Sequence, residues 1–376
     1  MLLSKYKNFI QLLLAFIFSF ILIHFVYNKH IEFENLALGT QTSSLAASNE
    51  NGHSIHCLRL NQSFVEQIDY HSDSIILLLG NSQSHSINQL QTNQTTYVGL
   101  LNSKINFKNK ILATSFPNAN LQELYTVFSF WSNKFHIKTL VLPLFFDDFR
   151  EDGIRDVFLP YIIDTHYQLK YSNAPIVKKI NTDLKTFWNN TSKPDEIESN
   201  QDNAALKETV QEKVEFKLNH FLEKHLSIWN NRSNIRGSLF NYLYLTRNTV
   251  LGIKASTIRP IIKDRYDNNM AALSAILKLA TLKNINVLLY IPPIRSDVAL
   301  PYKQEEYSLF KEQIQEVIER YNNIKFCNFE SSVPGKFWGY KEATNLLDKR
   351  EVDYMHFQYR GHQILADSIY KYISTF

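Results

Sequence analysis

The sequence predicts an α/β fold, namely a flavodoxin-like, three-layer parallel sheet of about five strands with a helical insertion, preceded by one N-terminal transmembrane helix. Three observations lead to this prediction. Short apolar runs alternate with segments in which apolar residues recur at helical spacing, a long stretch without such runs interrupts the alternation, and an uncharged run lies near the N-terminus. Because a strand buried on both faces is apolar throughout, these runs indicate a parallel sheet covered by helices.

The predicted strands lie on both sides of the interruption. Three precede it: IILLL (75–79), ILATSF (111–116) and TLVLPLFF (139–146). Two follow it: NVLLYIPP (286–293) and NIKFCNF (323–329). Helical spacing recurs at Leu121, Leu124, Tyr125 and Phe128, then at Leu273, Ile276, Leu277 and Ala280, and in the closing segment 361–373. Parallel strands need such crossover helices, so the pattern predicts a single sheet.

Residues 9–26 form an uncharged run of about the length that spans a bilayer. Two lysines precede the run, and the positive-inside bias places residues 1–8 in the cytoplasm. The sequence thus predicts a single-pass anchor in a bacterial cytoplasmic membrane, then a stem over residues 27–70 and an extracytoplasmic, periplasmic domain over residues 71–376. A cleaved signal peptide is the main alternative, although no small-x-small cleavage site closes the run directly.

The interruption covers residues 151–265, which contain no clear buried-strand run. We expect these residues to form a mostly helical cap beside the carboxyl edge of the sheet, because both ends of the segment leave from that edge or near it. The cap contains an aromatic patch, LFNYLYL (239–245). This patch could line an apolar groove, although core packing explains it equally well.

The composition argues against nucleic acid as a partner, and it leaves open whether the two cysteines form a disulfide. The 40 basic and 36 acidic residues give a net charge of only +4, and no basic run occurs, so nucleic acid is not an expected partner. We also expect no cofactor and no metal, since His53, His56 and Cys57 lack a fourth ligand at zinc-like spacing. Cys57 and Cys327 are the only cysteines, and whether they form a disulfide stays open.

Chemistry is expected at the carboxyl ends of the strands, where an open parallel sheet gathers its functional groups. The first strand is followed by GNSQ, in which Ser82 lies at the strand-to-helix turn. The segment EVDYMHFQYRGHQILA supplies Asp353 and His356 in a predicted loop ahead of the last helix. A serine nucleophile needs a base, and the base needs a carboxylate to fix its tautomer, so the three residues predict a catalytic triad. Taken alone, Ser82 would be an ordinary turn residue.

These two segments together resemble the first and last sequence blocks of the SGNH (GDSL-like) hydrolases, whose usual forms are Gly-Asp-Ser and Asp-x-x-His followed by Gly-His. The predicted anchor, the insertion and the segment YIPPIR are similar to the envelope branch of that superfamily, which includes the D-alanyl transfer protein of teichoic-acid assembly and polysaccharide O-acetylation proteins. The resemblance covers roughly residues 74–150 and 266–376. It implies Ser82 as nucleophile, His356 as base and Asp353 as orienting acid.

The resemblance also implies an oxyanion hole made of the nucleophile's N–H, a glycine N–H after the second strand and an asparagine side chain after the third. The chain departs from this pattern, with Asn118 near the expected glycine and Asp147 where asparagine is expected. An ionised carboxylate would repel a developing oxyanion, and loss of one donor costs about 10²–10³ in rate. Three ways to avoid this repulsion are open. Asp147 could be protonated, the alignment with the family could be shifted by a residue or two, or the amide of Asn118 or Asn120 could serve as the donor. Failing these, the site would be weak or inactive. Arg295, after the fourth strand, could meet an anionic substrate or form a structural ion pair.

The expected function is that of a membrane-anchored, extracytoplasmic esterase or acyltransferase, which acts on O-acyl groups of a cell-envelope polysaccharide through an acyl-serine intermediate. Its expected partners are the acylated polysaccharide or another acyl donor, the lipid bilayer through residues 9–26, and a multi-spanning membrane O-acyltransferase. Two other functions stay open. A non-catalytic assembly protein of an envelope modification complex would keep the fold without turnover, and a lipase-like esterase would need an apolar acyl groove under the insertion.

Overall fold

The structure is a computed structural model. It describes residues 14–19, 21, 47–49, 52–56, 74–85, 94–105, 109–116, 118–155, 158, 174–190 and 242–376. The chain divides into two compact units. The larger unit comprises Gln41–Pro194, Lys254–Ala343 and Asp348–Phe376, and the smaller unit comprises Met1–Thr40, Asp195–Ile253 and Thr344–Leu347.

The larger unit is built on a sheet that has seven strands among the residues described. They are β1 (Ala47–Asn49), β2 (Gly52–His56), β3 (Ser74–Gly80), β4 (Asn109–Ser115), β5 (Ile137–Pro143), β6 (Asn286–Ile291) and β7 (Ile324–Asn328). They lie in the order β1-β2-β4-β3-β5-β6-β7, and only β1 runs antiparallel to its neighbour. Strands β3 to β7 are the five predicted ones, and their order is the 2-1-3-4-5 order of flavodoxin-like folds. The predicted α/β sheet is therefore confirmed.

Helices cover both faces of this sheet. They are α1 (Ser82–His85), α2 (Tyr97–Lys104), α3 (Leu121–Lys134), α4 (Pro175–Asn190), α5 (Lys263–Leu282), α6 (Gln304–Ile318) and α7 (Tyr359–Ile373). Ile75, Leu77 and Leu79 of β3 pack in one apolar cluster with α3 and α5, whereas Ile76 and Leu78 pack in a second cluster with α2 and α7. The two-residue repeat of a strand explains this alternation, and the result is three layers.

The carboxyl ends of the five parallel strands meet at one edge of the sheet. There, β3 leads into α1, β4 leads into the turn before α3, and β5 leads into a 3₁₀ helix over Phe146–Arg150. The strand order reverses between β3 and β5. Segments that follow these two strands thus lie on either side of the switch point, where open α/β sheets bind ligands.

The segment that carries Asp353 and His356 is a strand and not the predicted loop. Strand β9 (Arg350–Phe357) pairs antiparallel with β8 (Trp338–Glu342) in a separate two-stranded sheet. Buried positions do not alternate along β9, and two of its buried residues are the acids Glu351 and Asp353. The sequence therefore lacks the two-residue apolar repeat by which a half-buried strand is recognised.

Strands β1 and β2 come from the region that the sequence predicts to be a stem. Strand β2 pairs in parallel with β4, and β1 pairs with β2 at the end of the sheet. Their sequences, ASN and GHSIH, contain almost no apolar side chains. Hydrophobic runs therefore cannot reveal them. Helices α2 and α6 likewise have no counterpart in the prediction.

Several predictions fall wholly or partly on residues that the structure does not describe. Of the predicted anchor over residues 9–26, only residues 14–19 and 21 are described, and these are helical. No helix in the described part of the chain has the length and apolarity needed to cross a membrane. Residues 1–8 and Cys57 lie outside the described residues, while Cys327 is a buried free cysteine.

The predicted insertion over residues 151–265 is divided between the two units. In the larger unit, α4 packs apolar side chains into the core, and Lys179 forms a 3.0 Å ion pair with Asp152, close after β5. In the smaller unit, residues 242–250 are helical. Parts of the insertion, residues 156–157, 159–173 and 191–241, lie outside the described residues. The cap beside the carboxyl edge stays a prediction.

Candidate active site

The turn after β3 is closed by its own hydrogen bonds. Asn81 Oδ1 accepts from Gln83 N at 3.1 Å, and Asn81 O accepts from both the N–H and the hydroxyl of Ser84 at 3.1 and 2.7 Å. A Cβ at Gly80 would collide with Ser84 Oγ, so glycine is the residue that fits at the end of the strand. The turn therefore presents part-buried Ser82 at the start of α1 in a fixed conformation.

The structure brings Ser82, His356 and Asp353 together. His356 Nε2 lies 2.9 Å from Ser82 Oγ, although the two residues are 274 positions apart in the sequence. His356 Nδ1 lies 3.0 Å from both carboxylate oxygens of Asp353. One imidazole thus bridges a hydroxyl and a carboxylate, which is the arrangement a serine nucleophile requires.

The Asp353 carboxylate is buried and well supplied with donors. Its side chain is 1% exposed, and Oδ1 also accepts from the backbone N–H groups of Met355 and His356 at 3.0 Å each. Burial by itself raises the pKa of this carboxyl, but the charge of His356 and these three hydrogen bonds outweigh burial and lower the pKa. Asp353 is therefore ionised at neutral pH, as an acid that holds the Nδ1–H tautomer must be.

Gln83 ties the nucleophile turn to the segment of the histidine. Its side chain is buried, and Nε2 donates to Pro293 O at 3.0 Å and to Met355 O at 2.7 Å. Met355 directly precedes His356. One amide thus fixes the turn after β3, the loop after β6 and the end of β9 relative to one another. The sequence analysis missed this role, because glutamine after a turn serine carries no signal of its own.

Asp147 makes its side-chain contacts with three residues outside the nucleophile turn. Its Oδ2 accepts from Arg259 Nη1 at 2.5 Å and from the Tyr302 hydroxyl at 2.9 Å, and Arg150 Nη1 is 3.6 Å from Oδ1. These contacts compensate its charge. A place for Asp147 at the oxyanion position stays a prediction.

The next residue, Asp148, faces the turn instead. It is 4% exposed, and its Oδ2 lies 3.4 Å from Asn81 Nδ2. Burial raises the pKa of Asp148 well above its ordinary value, the neighbouring Asp147 raises it further, and the hydrogen bond from Asn81 offsets only part of this.

The two asparagines after β4 have different surroundings. Asn118 is exposed and has φ of 52°, in the left-handed region that glycine adopts most readily. Its backbone thus takes a glycine-like conformation where the resemblance implies glycine. Asn120 is the N-cap of α3, where its Oδ1 accepts from Gln122 N and Glu123 N, and its Nδ2 donates to Gly153 O at 2.8 Å. The Asn120 amide therefore caps α3 through its oxygen and holds Gly153 O through its nitrogen, and its role as an oxyanion donor stays a prediction.

Arg295 is engaged in a structural ion pair. Its guanidinium donates to both Asp297 carboxylate oxygens at 2.9 and 3.2 Å and to Gly339 O at 2.8 Å. Its backbone N–H donates to Tyr354 O. Of the two readings of Arg295, the structural ion pair fits these contacts, and the residue joins the loop after β6 to the β8–β9 hairpin.

Comparisons with known proteins add little to this geometry. No protein-family model matches the chain, and no curated protein matches it. Eleven chains of solved structures match. Among them is a mutant of Axe2, an acetyl-xylooligosaccharide esterase from Geobacillus Stearmophilus, with 10% sequence identity, coverage of 81% of this chain and 95% of that chain, and a TM-score of 0.35. A likeness at this identity and TM-score supports no conclusion about function, so the function depends on the residues of the site.

Proposed function

We propose that this chain is a serine hydrolase or acyltransferase of SGNH type, in which Ser82 forms an acyl-enzyme with the acyl group of an ester. One observation carries the proposal. The imidazole of His356 contacts Ser82 Oγ through Nε2 and the Asp353 carboxylate through Nδ1, at 2.9 and 3.0 Å. Both distances fall within hydrogen-bonding reach, so the serine, its base and the orienting acid are already aligned.

The proposed reaction follows from these contacts. Ser82 Oγ attacks the acyl carbonyl carbon while His356 Nε2 takes the hydroxyl proton, and the carbonyl oxygen becomes an oxyanion. The C–O bond to the leaving alcohol then breaks, and the alcohol takes the proton from His356. Water or an acceptor hydroxyl repeats the sequence in reverse on the acyl-serine. Asp353 stabilises the imidazolium throughout and itself stays ionised.

The oxyanion needs donors, and two backbone groups are candidates. The N–H of Ser82 lies at the start of α1, and we assign the second donor to the N–H of Asn118, whose φ of 52° matches the glycine-like conformation. Each such donor contributes about 10²–10³ in rate. No side-chain amide is assigned to the third position, because the described contact of Asn120 Nδ2 is with Gly153 O.

The finer parts of the proposal come from the sequence. We propose an O-acylated cell-envelope polysaccharide as substrate, anchorage in the lipid bilayer through residues 9–26, a periplasmic position for the larger unit, and a multi-spanning O-acyltransferase as partner. The uncharged run at 9–26 supports the anchor. Fractionation of cells that express the full chain tests the membrane location, with a chain that begins after residue 26 as the matched control.

A fluorophosphonate probe tests the central claim, because it reacts with activated serines alone. The purified chain should be labelled at Ser82, and both Ser82→Ala and His356→Ala should abolish labelling, since triad members act as a unit. Ser103→Ala is the matched control, because Ser103 is an exposed serine on α2 that donates only to Leu100 O. A folded wild type that resists the probe would instead favour the non-catalytic assembly protein.

Hydrolase and transferase differ in what reaches the acyl-serine. The assay uses an activated acetyl ester as donor, with and without an oligosaccharide acceptor. With the acceptor present, a transferase should form acetylated oligosaccharide and release correspondingly less free acetate. A hydrolase should release acetate at the same rate with or without acceptor. The product ratio therefore separates the two activities of one site.

A further inference from the structure

A buried carboxyl group lies directly beside the turn that carries Ser82. Asp148, in the 3₁₀ helix after β5, is 4% exposed, and its Oδ2 lies 3.4 Å from Asn81 Nδ2. Asn81 immediately precedes Ser82. The contact therefore connects a buried acid to the nucleophile through one residue, although neither the triad nor Gln83 involves that acid.

The charged groups around Asp148 compensate a negative charge there only in part, through the electrostatic attraction of Arg155. Asp147 precedes it and pairs with Arg259, and Glu123 at the start of α3 is held by Arg155 at 2.7 Å. No basic side chain in the described ranges forms an ion pair with Asp148 itself. An ionised Asp148 would be a buried charge close to two other carboxylates, and such a charge is strongly disfavoured.

We propose that Asp148 is a positioning residue that supports Ser82 only as a neutral carboxylic acid, and that the loss of its proton switches the site off. This inference rests on the proposed function. The neutral acid accepts a hydrogen bond from the Asn81 amide through its carbonyl oxygen. The same Asn81 side chain accepts from Gln83 N through Oδ1. The shape of the nucleophile turn therefore depends on a side chain that is anchored at Asp148.

Deprotonation would change the site in two ways. The O–H bond of the carboxyl group breaks, the proton leaves to solvent, and the electron pair stays on the carboxylate as a negative charge next to the residue that precedes Ser82. That charge repels the oxyanion of the tetrahedral intermediate, which raises the barrier to acylation. It also draws the Asn81 amide closer, so the turn shifts relative to His356, and small misplacements of reacting groups cost up to about 10² in rate.

The residue types at this contact are reversed from those that the resemblance implies. The SGNH pattern has aspartate before the nucleophile and asparagine after the third strand, whereas this chain has Asn81 and Asp148. In this chain an amide and a carboxyl group face each other, and the Asn81 amide is the donor. The exchange moves the ionisable group into a buried position between Asn81 and Asp147, and that position gives the site its pH sensitivity.

The pH dependence of labelling tests the inference. In the wild type, the rate of fluorophosphonate labelling should fall by about tenfold per pH unit once Asp148 ionises. Asp148→Asn keeps the shape and cannot ionise, so its labelling rate should lack this fall. Asp152→Asn is the matched control, because Asp152 pairs with Lys179 outside the turn, and it should follow the wild type.

Each result of this experiment decides one claim. If the labelling rate of Asp148→Asn falls with rising pH as that of the wild type does, the inference is overturned, whereas the proposed serine chemistry is unaffected. A folded wild type that is unlabelled at every pH contradicts the proposed function itself. If Asp148→Asn does not fold, infrared spectroscopy of the wild type decides the matter. The carbonyl band of a protonated carboxyl group should persist at neutral pH, and its absence overturns the inference.

Discussion

The end of β9 and the 3₁₀ helix after β5 each bury an aspartate beside Ser82, and the two aspartates have opposite pKa shifts. Asp353 is 1% exposed, and its pKa is lowered because a histidine and two backbone N–H groups outweigh burial. Asp148 is 4% exposed, and its pKa is raised because burial and neighbouring acids outweigh the hydrogen bonds that it makes with Asn81 and with the backbone of Phe145. Burial is nearly equal, so the partners determine the charge. The comparison assigns an ionised role to one acid and a neutral role to the other.

Substitution of each aspartate by asparagine should show the largest difference in labelling between the two acids. Asp353→Asn removes the ionised partner of His356, and the asparagine amide would present a donor to Nδ1 and favour the wrong tautomer. Labelling of Ser82 should fall by about 10⁴. Asp148→Asn, its matched counterpart, should retain labelling within about threefold at neutral pH, because it replaces one neutral group by another. Equal losses in the two variants would contradict the assignment.

Gln83→Leu sharpens the comparison, because it disturbs the end of β9 and leaves the Asn81–Asp148 contact in place. The leucine cannot donate to Pro293 O and Met355 O, so His356 loses its fixed position relative to Ser82. The labelling rate should fall about 10- to 100-fold. The fall of the labelling rate at high pH, which we assign to Asp148, should persist in this variant.

Gln304→Leu is the matched control for this variant, since Gln304 is an exposed glutamine at the start of α6. It should label at the wild-type rate. The Gln83→Leu variant should first be shown to unfold as cooperatively as the wild type. If this folded variant is labelled at the wild-type rate, Gln83 does not position the site.

Stability should depend on pH in opposite directions for the two acids. Asp148 has a raised folded pKa, so its contribution is fully present below the unfolded pKa and is lost as pH rises through the folded pKa. Asp353 has a lowered folded pKa, so its contribution is present above the unfolded pKa of about 3.9 and is lost on acidification through the folded pKa.

Urea unfolding across pH measures this contrast. The free energy of unfolding of Asp148→Asn should exceed that of the wild type by an amount that grows with pH above about 4, by about 1.4 kcal/mol per pH unit while only the unfolded acid is ionised. The deficit of Asp353→Asn should disappear as pH falls. A constant offset at all pH values for both variants would show that neither acid has a shifted pKa.

Asp147→Asn should have the smallest effect on labelling. Asp147 faces Arg259 and Tyr302, so its amide variant leaves the oxyanion position unchanged and labelling should stay within about twofold. Breaking a part-buried ion pair should lower the free energy of unfolding by about 1–3 kcal/mol. A rise in labelling of about 10² would mean that Asp147, rather than Asp148, lies beside the oxyanion.

The residues also show how far the sequence could predict this molecule. Strands β3 to β6 are largely apolar because they are buried on both faces, so hydrophobic runs locate them. Strand β7, at the end of the sheet, is only partly buried but still contributes apolar side chains to both clusters. Helix α6 presents Tyr307, Phe310, Ile314 and Val317 at helical spacing, a signal that the analysis overlooked. Strands β1 and β2 are short and polar, and a two-residue repeat is absent from β9, so pairing partners far along the chain decide those elements.

The site was predictable to the extent that residue type decides function. Ser82, Asp353 and His356 were named from their chemistry, and tertiary structure brings them together. The distinction between Asp147 and Asp148 was not predictable. A 3₁₀ helix has three residues per turn, so adjacent side chains point about 120° apart, and only the register of that helix determines which acid faces Asn81.

The separation between Ser82 and His356 has a consequence for biosynthesis. The nucleophile is made early, whereas its base follows it by 274 positions, and the orienting acid lies three residues before the base. On the proposed function, a chain emerging from the ribosome therefore carries an unactivated serine until β9 has been synthesised and has paired with β8. This order of synthesis protects the nascent chain and its neighbours from premature acylation.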